Sequence, residues 1–325
     1  MSDAGLTPPD EVTPTSAKPK TNIFRGPHGI RAGWRALIFL AILATLVFLL
    51  SSALRLLSHG RITFGYNHGL TPFSVALTDG IIFLCQSVAA IIMGRIERRT
   101  FGQYGFPRVT AFRQHFWIGA VAGFLAINSS LLCVFMLHGY RITALAIHSS
   151  TIVPAAVAWG VAFVILGLAE EFGFRGYLQF TLTTGMGFWP SAILLSLWFA
   201  LVHIGPNETK VGVFSVLLFA FLFCLFLRRT GTLWWAVGFH AGWDWGQTFF
   251  YGVPDSGFAP YHSLFNSAFS GAHWLTGGSA GPEASVFTPV VLLVTAILFS
   301  RFYSANRYQP VVWRLMGGAH CDQER

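Results

Sequence analysis

Charge is scarce in this sequence. Only 10% of its 325 residues are Asp, Glu, Lys or Arg, against roughly 25% in soluble domains, which excludes an ordinary water-exposed surface. Lysine is nearly missing, with 3 of the 21 basic residues, the other 18 being Arg. Cysteine is sparse too: Cys85, Cys133, Cys224 and Cys321 stand singly, three of them in apolar runs and none in a C-x-x-C pair. That pattern points to packing and away from a disulfide framework or a thiolate metal site. No internal repeat is visible, so sequence symmetry lends nothing to an inverted-repeat transporter. The 15 Pro are too few and aperiodic for collagen, and a chain with 16% aromatics is too apolar for disorder.

What is abundant is apolar sequence: 54% hydrophobic residues with a mean hydropathy of +0.58. Apolar runs recur at 36–57, 75–93, 116–137, 152–168, 188–202, 211–227, 233–251 and 286–303. Each is near the ~20 residues that a helix needs to cross a ~30 Å hydrocarbon core. The expected fold is therefore all-α, a polytopic integral membrane helix bundle of about eight transmembrane helices. Residues 1–33, rich in Pro, Thr, Ser and Gly, read as a flexible cytoplasmic tail. Residues 34–137 read as N-terminal transmembrane helices, 150–250 as a core, 252–285 as an outer loop, and 286–325 as the last span with a cytoplasmic C-terminus. The first run starts 35 residues in and lacks a small-residue cleavage site, so it reads as an uncleaved span.

The formal charge of +8 marks topology rather than nucleic-acid binding. The tail through Arg35, the 94–115 loop, the Arg228-Arg229 turn and the end from Arg301 onward hold 16 basic residues. The alternate loops hold four: Arg55, Arg61, Arg141 and Lys210. The asymmetry predicts a multi-pass protein of the cell inner (plasma) membrane with both termini cytoplasmic. Its partners are then the lipid bilayer and a membrane-borne substrate, with no nucleic acid.

Ionisable groups inside a bilayer are costly, so those present are functional candidates. They form three clusters: Glu170, Glu171 and Arg175; Phe199 and His203; His240 and Asp244. A single helix is expected from about 153 to 182. On it Glu171 and Arg175 are i,i+4 partners, while Glu170 is rotated about 100° away and left without a compensating charge. Glu170 lies 16 residues before Met186 and His203 17 after it, so both sit roughly 25 Å from the intervening bend and can meet. His240 and Asp244 share one helix face, roughly opposite a Gly238-Gly242-Gly246 stripe that permits close helix approach. A carboxylate beside an imidazole can take a proton from water, and a second His with Asp can support the oxyanion. The same donors suit zinc: if a divalent metal is used, Glu170, His203, His240 and Asp244 would hold it. With no H-E-x-x-H present, a metal-bound and a glutamate-activated water both stay open.

In order and spacing, E-E-x-x-x-R (Glu170, Glu171, Arg175), F-x-x-x-H (Phe199, His203) and H-x-x-x-N/D (His240, Asp244) resemble the CPBP, or Abi, family of intramembrane proteases. This family includes the type II CAAX prenyl endopeptidases and a large bacterial membership. The resemblance spans roughly 153–247, with a weaker match at 98–106. It implies Glu170 as catalytic glutamate, His203 as its partner on the water, His240 and Asp244 as oxyanion or metal support, and Glu171, Arg175 and Phe199 as supporting residues. It implies an endopeptidase, metallo- or glutamate-dependent, that cleaves a hydrophobic or lipid-anchored polypeptide near the cytoplasmic leaflet. The third motif carries Asp where the prenyl-protein enzymes typically have Asn, which favours a metal-ligand or His-orienting part for it. Two other readings compete: a non-catalytic membrane immunity or regulatory binding protein, and a proton-coupled transporter with a relay that adds Asp79.

Overall fold

In the computed structural model, residues 22–26, 29–62, 64–66, 69–205 and 209–310 are described. Most of the expected tail and the C-terminal 311–325, with Cys321, lie outside them. The short hairpin β1 (Arg25–Gly26) and β2 (Gly29–Ile30), with Arg25 opposite Ile30, is a unit of its own. Everything below concerns the main unit, Ala32–Val312.

The apolar runs fold as helices. They are α1 (Ala32–Leu57), α2 (Pro72–Glu97), α3 (Gln114–Met136), α4 (Ser149–Arg175), α5 (Tyr177–Met186), α6 (Phe188–Val202), α7 (Lys210–Thr230), α8 (Trp234–Asp244) and, after the four-residue α9 (His273–Thr276), α10 (Phe287–Phe302). The protein is a polytopic helical membrane bundle, with five stretches long and apolar enough to cross a bilayer: α1, α2, α3, the α4–α5 stretch and α7. The remaining apolar runs are shorter: α6 has 15 residues, α10 has 16, and α8 has 11 before a π-type turn at Trp245–Phe250 continues it. The single helix expected over 153–182 is interrupted. Gly176, at φ −82° and ψ −120°, leaves the helical region and separates α4 from α5, a conformation that glycine adopts at little cost.

The bundle has two unlike ends. At one, buried Glu97 accepts the Tyr177 hydroxyl and pairs with Arg35 at 3.2 Å and Arg99 at 3.3 Å, while Arg35 also donates to Thr184 at 2.6 Å. The α7–α8 turn joins this end through the Leu233 N–H, which donates to the Gly105 carbonyl at 2.9 Å. This arginine end includes Arg95, Arg98, Arg228 and Arg229 as well. At the other end, β3 (Tyr140–Leu145) pairs antiparallel with β4 (Phe265–Phe269), and Leu70 bridges to Pro260. This loop end is thus a built layer of residues 58–62, 64–66, 69–71, 137–148 and 252–285.

Helix α8 is the innermost element, and α3 lies against it backbone to backbone. A Cβ at Gly123 would stand 2.0 Å from the Phe239 carbonyl, and one at Gly242 2.0 Å from that of Ala120. The small-residue stripe therefore serves close approach to α3, where contact takes the place of the hydrophobic force that lipid cannot supply. It also turns the opposite side of α8 toward α4. Helix α1, by contrast, buries only Arg35, Ala36 and Phe39 and offers the rest of its apolar surface to lipid.

Candidate active site

The three motifs meet at mid-bundle. Helix α4 brings Glu170 and Glu171 to adjacent faces, α6 ends with His203 as its C-cap, and α8 presents His240 and Asp244 one turn apart. His203 Nδ1 lies 2.7 Å from the Phe199 carbonyl. A carbonyl only accepts, so Nδ1 carries the proton and Nε2 is free to face Glu170 Oε2, 3.7 Å away. His240 repeats the device with a carboxylate: Nδ1 lies 3.1 Å from Glu171 Oε1, and Nε2 lies 3.7 Å from Glu170 Oε2 and 3.6 Å from Asp244 Oδ2. Both imidazoles thus aim Nε2 at one oxygen of Glu170.

The supporting residues explain their own spacing. Glu171, fully buried, pairs with Arg175 at 3.5 Å and holds His240 with the same oxygen. The Arg175 guanidinium, also fully buried, lies 4.3 Å from the centre of the Phe199 ring, which in turn lies tilted against the His203 ring at 4.2 Å. Phe199 therefore acts twice, as a face for the cation and as the carbonyl that sets the His203 tautomer. Exposure separates the roles: the Glu170 and His203 side chains are 25% and 22% exposed, whereas Asp244 is at 5% and Glu171 and Arg175 are at zero.

The chemistry of the donor set suits a small oxophilic cation. Zinc bonds of ~2.0–2.2 Å in a tetrahedron put neighbouring ligand atoms roughly 3.3–3.6 Å apart. Three pairs come close to this, Glu170 with His203 and with His240 at 3.7 Å and His240 with Asp244 at 3.6 Å, but the four do not close on one point, so holding a metal would require them to draw together. Both Nδ1 positions are already committed to acceptors, as in metal-bound histidines. A hydrogen-bonded water fits the same spacing. A second acidic group lies next to it: among the described residues, Asp244, Asp255 and Glu283 have ligand atoms all within 4.8 Å of one another.

Asp255 and Glu283 are site residues that sequence reasoning missed. They belong to the loop end, which folds over the helices, so only the tertiary structure brings them near Asp244. Their one visible signal is that 252–285 holds acids and no Lys or Arg. Burial pushes the Asp255 carboxyl up to about 6, against the lowering effect of the Thr248 hydroxyl that donates to it at 2.8 Å. The Tyr66 hydroxyl donates to Asp79 and has its pKa raised by burial first and by that carboxylate second. Asp79 shares a cavity wall with Glu170.

Two cavities reach Glu170. One of about 60 Å³, enough for a few waters, lies among Glu170, His203, His240, Asp244, Asp255 and Glu283. The other, of about 640 Å³, includes Tyr66, Asp79, Gln86 and Phe258. Both include loop-end residues, and the arginine cluster around Glu97 belongs to neither. Both cavities thus open toward the loop end, and α6 accordingly starts at Phe188, beside Arg228, and carries His203 at its other end.

A search of the curated proteins finds no match. Residues 152–246 match the family described as Type II CAAX prenyl endopeptidase Rce1-like. That segment runs from the first turn of α4 past Asp244 and contains every motif residue named above, so over it the chain is similar to the type II CAAX prenyl endopeptidases.

Proposed function

We propose that the protein is an intramembrane endopeptidase that hydrolyses a peptide bond in a hydrophobic or lipid-anchored polypeptide with a water activated by Glu170. The observation that carries this is the convergence of two histidine Nε2 atoms on one oxygen of the Glu170 carboxylate, each 3.7 Å away. Water seated in the small cavity gives its proton to Glu170 as its oxygen attacks the carbonyl, and Glu170 returns that proton to the leaving nitrogen. His203, with Nδ1–H held by Phe199, accepts from the water at Nε2 and orients it. For His240 to donate to the oxyanion its ring must carry both protons, and Glu171 on one side and Asp244 on the other supply the counter-charge. Asp244 thus acts through His240, which fits an Asp at this position. A zinc ion, if bound by Glu170, His203, His240 and Asp244, would polarise the carbonyl and acidify the water.

The basic-loop asymmetry sets the arginine end in the cytoplasm, so the site opens toward the extracytoplasmic leaflet and takes substrate there. The test is a comparison of membrane-proteome N-termini between cells with wild-type protein and with Glu170→Gln at equal abundance. New termini that require Glu170 are expected, on segments exposed outside. Identical profiles would refute the endopeptidase reading, and Glu170-dependent cuts confined to cytoplasmic segments would reverse the orientation alone.

A further inference from the structure

The larger chamber beside Glu170, of about 640 Å³, includes residues of α2, α4, the 66–70 segment and the 255–280 segment. Its carboxylates outnumber its one basic group, His203. Asp79, Glu170 and Asp255 contribute carboxylates, and no Lys or Arg lines it among the described residues. Asp79 is 4% exposed and accepts the Tyr66 hydroxyl, a neutral donor that leaves the charge in place. Asp255 is likewise held by a neutral hydroxyl, that of Thr248.

An independent observation lies two turns along α2. Gln86 also lines the chamber, is only 5% exposed, and its Oε1 is buried with no hydrogen-bond partner. An acceptor left in that state is destabilising, and a bound N–H donor would satisfy it. Ile82, Leu166, Phe174 and Phe258 give the same chamber apolar walls. Apolar walls with acceptors and carboxylates among them match the long side chains of lysine and arginine, whose stems pack on apolar surface while the charged head seeks oxygen. A free C-terminal carboxylate would meet three carboxylates against the single imidazole of His203.

We propose that this chamber is the subsite for a lysine or arginine side chain of the polypeptide substrate, next to the bond attacked at Glu170, an inference that rests on the endopeptidase reading above. It is tested with the full chain in lipid nanodiscs and three hydrophobic heptapeptide amides that differ at one position, bearing lysine, norleucine or glutamate. Binding is measured to wild type and to Glu170→Gln. The lysine peptide is expected to bind at least tenfold tighter than the norleucine peptide, with the glutamate peptide weakest, and Asp79→Asn or Gln86→Leu should narrow the lysine advantage at least threefold. Equal affinity for lysine and norleucine in the unmodified protein overturns the proposal, and this comparison needs no variant to fold. The two readings fail separately. A lysine preference without Glu170-dependent hydrolysis keeps the subsite and removes the endopeptidase, whereas Glu170-dependent hydrolysis with equal kcat/KM for lysine and norleucine substrates removes the subsite alone.

Discussion

Two glutamates on the helices, one at the arginine end and one at mid-bundle, are handled in opposite ways. Glu97 is enclosed by Arg35 and Arg99 and takes the Tyr177 hydroxyl, so its charge and its lone pairs are both answered. Glu170 is partly open, meets its histidines only at 3.7 Å, and faces cavities with room for water and for a larger ligand. The difference separates structure from chemistry: a tightly paired carboxylate ties α1, α2 and α5 together, while one whose histidines stand at 3.7 Å beside open space is available to a proton. Polar groups within apolar helices are not functional merely by being there. Their partners decide.

The largest effect that can break this comparison is on hydrolysis. Glu170→Gln should lower the rate at least ~1,000-fold, since a general base contributes about that much, with thermal unfolding in detergent unchanged. Glu97→Gln should do the reverse. It removes the carboxylate charge that both buried arginines pair with, so a loss of ~3–5 kcal/mol of stability is expected, with turnover per folded molecule preserved below the lowered transition. Gly123→Ala is expected next, at ~1–3 kcal/mol or more, because its new Cβ would have to displace the Phe239 carbonyl. It should also cost activity, since α8 cannot recede from α3 without moving His240. The smallest is a pH effect at the loop end. Because burial raises Asp255 from 3.8 to about 6, the folded state binds its proton more tightly, and stability should decline as pH rises through roughly 4 to 6. Asp255→Asn should remove that decline in thermal melts run across the window.

Much of the helical frame and the three motifs could be read from the chain, because apolar run length and i,i+4 spacing are local properties. The meeting of Glu170 with His203 was legible too, from equal distances about the bend near Met186. What stayed hidden depends on loops folding back. The β3–β4 pairing, the seat of Phe258 against Tyr66, and the arrival of Asp255 and Glu283 at Asp244 involve residues far apart in sequence with no shared period. The break at Gly176 was hidden for another reason: a glycine within an apolar pattern reads equally as helix interior or interruption. The side on which the site opens required tertiary contacts, since only the Leu70–Pro260 bridge and its neighbours show which loops share an end.

The central claim is that Glu170 does chemistry where Glu97 does not, and one side-by-side measurement addresses it. Purified wild type, Glu170→Gln and Glu97→Gln are compared for hydrolysis of a substrate identified from cellular N-termini, each normalised to its folded fraction. The account predicts no detectable cleavage by Glu170→Gln at wild-type melting temperature, and near wild-type turnover by a Glu97→Gln protein that melts earlier. Cleavage by Glu170→Gln at the wild-type rate would contradict it.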